Sequence, residues 1–164
     1  MQSLMEWLES TSPAVFIHQN PWAFTTVQVI HVIAISLVIG TIAMVDVRLL
    51  GLASTRRPFV ELARGILPFT WAAFIVAVAA GSLLFISRAT DYYVNPIFLI
   101  KMLLIVVAGI NMLIFELGTV RGVAEWNLKP IPPLPARLAG GISLGCWILV
   151  VVFGRLTDFV ITPQ

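Results

Sequence analysis

A chain of 164 residues that is 59% hydrophobic and 11% charged, with mean hydropathy +0.99, lies outside the range of soluble globular domains, where about a quarter of residues carry charge. It reads as an integral membrane protein. The net charge of +2 is small and scattered, which argues against a nucleic-acid surface. The single cysteine, Cys146, excludes a disulfide framework and the CxxC pairs of metal sites and c-type haem attachment.

The N-terminal stretch contains SLMEWLES and lacks the basic region, continuous apolar run and small-residue cleavage site of a signal peptide, so it is expected to be retained. Ser3 and Glu6 have capping-box spacing, and Leu4, Met5 and Leu8 contrast with Glu6 and Glu9, which predicts a short amphipathic helix lying on the bilayer surface. Ser12-Pro13 starts a second short helix, ended near Asn20-Pro21. Residues 1–20 thus form an interfacial segment ahead of one bundle, 21–164.

Stretches at roughly 22–45, 66–87, 97–115 and 138–157 are each long enough to cross about 30 Å of hydrocarbon. The expected fold is all-α, an integral membrane four-helix bundle. Ala73, Ala77 and Gly81 recur every fourth residue on the second span, as do Gly141 and Gly145 on the fourth, a spacing that lets helix backbones approach closely. The first connection carries Arg48, Arg56, Arg57 and Arg64 and the third Arg121, Lys129 and Arg137, whereas SRATDYYVNP between spans two and three holds only Arg88. Positive charge in short loops marks the cytoplasmic side. Both termini are then expected on the periplasmic side of a bacterial inner membrane. KPIPPLP in the third connection reads as an extended polyproline-like spacer.

Ionisable groups inside apolar spans are costly and mark functional sites by default. His31 is expected about 13 Å below the outer start of span one and Lys101 about 6 Å below the start of span three. Arg155 stands near the outer end of span four, so three nitrogen-bearing side chains converge on one half of the bundle. His31 is either a cofactor ligand or proton-active group, or a histidine hydrogen-bonded to a neighbouring helix. Lys101 either points inward or snorkels to headgroups. Arg155 is an end-of-span anchor or the partner of a propionate or phosphate. Gln28, His31, Ile35, Val38 and Ile42 share one helical face, and Lys101, Ala108 and Met112 another. Asn111 suits an interhelical hydrogen bond, and Asp46 with Arg48 an ion pair at the helix end. His18, about 20 Å from His31 along any straight helix, cannot share one iron with it; an inward-folded surface helix would be needed to bring it over the bundle.

The H…G…D-x-RLLG pattern in Val27–Gly51, with LARGILPFTWAAF, YYVNPIFLIKMLLIVVAGINMLIFE and the terminal GRLTDF, resembles an uncharacterised family of four-span bacterial membrane proteins. Val47 stands where that pattern has leucine. More distantly, a histidine in span one and a lysine early in span three resemble the CopD-type copper-resistance membrane domain and the HemJ-type protoporphyrinogen oxidase, which binds haem b. His31 and Lys101 are the matching positions; Glu116 stands in the region where such oxidases carry a second histidine.

The resemblance implies a b-type haem held by His31, with Lys101 as second axial ligand or propionate partner and Arg155 on a propionate. That would suit electron exchange with a periplasmic donor or a quinone, and one such histidine per chain permits a haem shared across a two-fold axis of a homo-oligomer. The alternatives are a non-redox accessory or assembly subunit, in which the polar residues only lock helices together, and copper handling. For copper, Met44, Met102, Met112 and Cys146 are the soft donors, spread over three spans.

Overall fold

Two Asn-Pro steps divide the chain. The computed structural model describes residues 2–161, with side chains to residue 157. Helices α1 (Gln2–Glu9) and α2 (Ser12–Gln19) precede α3 (Pro21–Leu49), α4 (Phe59–Ser87), α5 (Ala89–Val94) and α6 (Pro96–Leu117). A 3-10 turn (Thr119–Gly122) and α7 (Val123–Trp126) lead to α8 (Leu134–Ile161). At each Asn-Pro step, proline occupies the first helical position, where its missing N–H costs nothing. The asparagine Oδ1 accepts the next backbone donors: Trp22 and Ala23 N for Asn20 at 3.1 and 3.2 Å, Ile97 and Phe98 N for Asn95 at 2.9 and 3.3 Å. Asn20 thereby ends α2 and starts α3 where the sequence places that break.

α3, α4, α6 and α8 run alternately up and down around a ring, and all four are long and apolar enough to cross a membrane. α3 packs against α4 and α8, and α6 against α8. α4 and α6 meet through rings at both ends, Phe59 with Phe115 (6.0 Å) and Phe85 with Phe98 (5.6 Å). The starts of α3 and α6 and the end of α4 lie together at one end of the bundle, here called the terminal end. The connections after α3 and α6 form the arginine-rich end. At 29 residues each, α3 and α4 are about 43 Å long, more than the hydrocarbon thickness. They outrun the expected spans by one to two turns at the arginine-rich end, where Arg48, Glu61 and Arg64 extend them beyond the oily stretch. Leu103 (61% exposed), Leu113 (57%) and Ile110 (53%) on α6 face outward, a surface that lipid solvates without cost.

The packed core lies toward the arginine-rich end: Val45, Leu49, Phe59, Ala63, Trp126 and Ala136, with Phe115 and Val123 against them. α3 and α4 close through buried Ala34, Val38, Ala73, Ala77 and Ala80, and the Thr70 hydroxyl donates to that of Thr41 at 2.9 Å.

Three local expectations are corrected. Ser3 lies inside α1, so Ser3 and Glu6 do not form a capping box. On α8 the close approach runs through Gly140, where a Cβ would lie 2.9 Å from both the Asp46 carbonyl oxygen and Leu49 Cβ; Gly145 has open space around it and Gly141 only an ordinary contact. KPIPPLP is indeed non-helical at its start, but it is not a free spacer: Pro132 is buried, and Pro130 O and Pro132 Cδ press on Gly51.

Candidate cofactor site in the terminal half

His31 sits ten residues into α3, about 15 Å along the helix from Pro21. Its ring is half-buried against α4, and Nδ1 lies 2.8 Å from the Ala77 carbonyl oxygen. A carbonyl only accepts, so Nδ1 carries the proton, and in the neutral ring Nε2 keeps the lone pair. Gly81, one turn along α4, makes room for the imidazole: a Cβ there would come 2.7 Å from His31 Cε1. The small-residue stripe of α4 is thus a seat for this side chain as well as a helix contact. The orientation matches that of metal-ligating histidines, whose second nitrogen is typically fixed by a backbone carbonyl or carboxylate.

Lys101 lies on α6 about 7 Å from its start. Its stem runs along Gly154 of α8, where a Cβ would be 3.7 Å from Lys101 Cδ. The Nζ stands 4.7 Å from the Phe98 ring centroid. That ring belongs to a cluster with Phe85 (5.6 Å) and Tyr92 (5.1 Å), and an ammonium over an aromatic face is attracted as a cation. Since Phe98 is three residues nearer the terminal end, the chain leans toward the membrane boundary. Arg155, beside Gly154, is exposed. The face of α6 that meets α8 carries Lys101, Ala108 and Asn111, whereas Met112, placed on that face by spacing alone, is 45% exposed. Asn111 makes the expected interhelical bond, its Nδ2 donating to the Ala139 carbonyl at 2.9 Å.

The expected Asp46–Arg48 ion pair does not form. Residues two apart on a helix point about 200° away from each other. Asp46 faces Ser143 of α8, and Arg48 turns to the connections. Fully buried, its Nε donates to Arg57 O (3.3 Å), and Nη2 to Asn127 O (3.3 Å) and Lys129 O (3.2 Å). One guanidinium thus ties the connection after α3 to that after α7. Asn127 Oδ1 accepts from Val60 N at 3.0 Å, completing the junction. Among the described residues Asp46 Oδ2 and Arg48 Nη1 are buried without a hydrogen-bond partner. The sequence signal for this latch was RLLG: Gly51 takes φ +74°, and Leu52 N bonds to Val47 O at 3.0 Å, a glycine-terminated helix end that turns the chain back over Arg48.

His18 is exposed on α2 and lines a cleft with Glu9, Arg88 and Asp91 at the terminal end. Met44 (54% exposed), Met102 (42%) and Met112 (45%) point out of the bundle while Cys146 is buried, so the soft donors do not converge. Among the described residues no three His, Cys, Asp or Glu side chains group closely enough to hold a metal ion. Of GRLTDF, the side chains of Asp158 and Phe159 lie outside the described residues, as does the C-terminal residue. No family model, curated protein or solved structure matches the chain.

Proposed function

We propose that this multi-pass membrane protein binds b-type haem in the terminal half of its bundle and passes electrons between a quinone or periplasmic donor and a partner. The observation that carries the reading is the 2.8 Å bond from His31 Nδ1 to the Ala77 carbonyl, the kind of backbone bond that orients a ligating imidazole. The donor set suits haem, which needs one or two axial ligands, better than a cluster-bound metal. The contact of Lys101 with Phe98 favours a charged ammonium, hence a partner for a propionate; a lysine ligand would have to be neutral. Arg155 supplies a second cation near the same membrane level. When bound, the haem would supply one-electron redox chemistry tuned by axial ligation, charge and burial. The positive-inside pattern of the connections supports a bacterial inner membrane with the site on the periplasmic side.

A reduced-minus-oxidised spectrum of protein purified from haem-replete cells tests this. Soret and α bands that vanish in His31→Ala and shift or weaken in Lys101→Ala are expected; a wild-type protein without a Soret band contradicts it. The second reading, a non-redox accessory or assembly subunit, is favoured by the same bond, since it also joins α3 to α4. It predicts that His31→Ala lowers stability and changes no chromophore. The outward methionines count against copper handling.

A further inference from the structure

We propose that the cleft at the terminal end binds the headgroup of a phospholipid carrying a phosphodiester and a primary ammonium, the chemistry of phosphatidylethanolamine. The cleft, about 280 Å³, opens where α1, α2, α5 and the end of α4 meet, and Glu9, His18, Gln19, Arg88, Thr90 and Asp91 line it. Liquid water takes about 30 Å³ per molecule, so a group of several heavy atoms fits.

Its walls are held by interactions between distant segments. The Glu9 Oε1 accepts from Thr90 N at 2.8 Å and from the Thr90 hydroxyl at 2.7 Å, fixing α1 to α5 and placing a carboxylate in the wall. Arg88 is steadied over the Phe24 ring at 5.5 Å. Asp91 is exposed on the first turn of α5. Among the described residues Arg88 forms an ion pair with neither carboxylate. One cation and two carboxylates therefore share a cleft without neutralising one another, and a ligand of the opposite polarity satisfies both ends. A guanidinium fork matches phosphodiester oxygens. A primary ammonium brings three N–H donors for carboxylate acceptors, whereas a quaternary ammonium brings none and is recognised by aromatic cages.

The source of the zwitterion follows from position. Ser87 and Arg88 stand where the span ends, and Leu4 (51% exposed) and Trp7 (61%) on α1, Phe16 (61%) on α2 and Trp22 (83%) in the first turn of α3 expose apolar and indole surface suited to the headgroup region. The ligand is therefore a lipid of the leaflet in which α1 and α2 lie. This assignment does not depend on the haem reading.

Native mass spectrometry and thermal unfolding of the full chain in detergent test it, with phosphatidylethanolamine, phosphatidylcholine, phosphatidylglycerol and soluble glycerophosphoethanolamine as probes. Phosphatidylethanolamine is expected to bind saturably and about tenfold or more tightly than the other two lipids, the scale of losing charge-assisted hydrogen bonds. The soluble compound should compete, but weakly. Arg88→Gln, Asp91→Asn and Glu9→Gln, the last keeping an acceptor for Thr90, should each weaken binding several-fold; exposed Asp91 keeps the test informative if Arg88→Gln misfolds. Equal binding of the ethanolamine and choline lipids, a preference for the glycerol lipid, or unchanged affinity in folded Asp91→Asn overturns the proposal. Equal affinity for the soluble compound overturns the lipid assignment.

Discussion

The two ends of the bundle use polar groups in opposite ways. At the arginine-rich end, Arg48 Nε and Nη2 donate to three backbone carbonyls of two connections, beside a core built on Phe59 and Trp126. At the terminal end, His31 Nδ1 meets the Ala77 carbonyl, Lys101 Nζ stands over the Phe98 ring, and Arg88, Glu9 and Asp91 line one cleft. At the first end the guanidinium binds the chain's own backbone; at the second, charged side chains from distant segments line one cleft. On the function proposed above, the first end serves structure and the second binding.

The comparison breaks most readily at Arg48. Arg48→Ala removes three hydrogen bonds from a charged donor and leaves the connections unpinned, an expected loss of about 3–5 kcal/mol. Arg48→Lys, which lacks the planar fork, should recover only part of it. Unfolding of the detergent-solubilised protein by denaturant measures both, and the terminal-half spectrum should persist wherever the variant still folds. Gly81→Ala drives a methyl into His31 Cε1 and forces the ring off the Ala77 carbonyl; overpacking of this kind costs about 1–3 kcal/mol. It should also abolish haem binding, which calorimetry and the Soret band report separately. Asn111→Ala removes a single interhelical bond, worth about 1 kcal/mol in membranes, with no change in spectrum. Arg155→Ala, on an exposed side chain, should leave stability within about 0.5 kcal/mol and shift only the redox midpoint if a propionate is its partner.

The four spans, the Asn20-Pro21 boundary and the Asn111 bond were legible in the sequence because each rests on local chemistry: length of apolar run, capping, or one amide in oil. Arg48 was misread because hydropathy and spacing place a residue on a helix without saying which connections fold back over it. Ala73, Ala77 and Gly81 were legible as a close-approach stripe, but that His31 is what approaches depends on the register between α3 and α4, which a single sequence does not encode. The cleft joins residues 9, 18, 88 and 91, some eighty positions apart in the chain, so no local motif announces it.

The central proposal is that His31, docked on α4, ligates a haem iron, and chemical rescue tests it most directly. The Soret band lost in His31→Gly should return when imidazole is added to the purified variant reconstituted with haem, while its thermal unfolding temperature stays at the variant's value. A band that survives the substitution unchanged, or a fully folded His31→Gly that binds no haem with imidazole present although wild type does, would contradict the account.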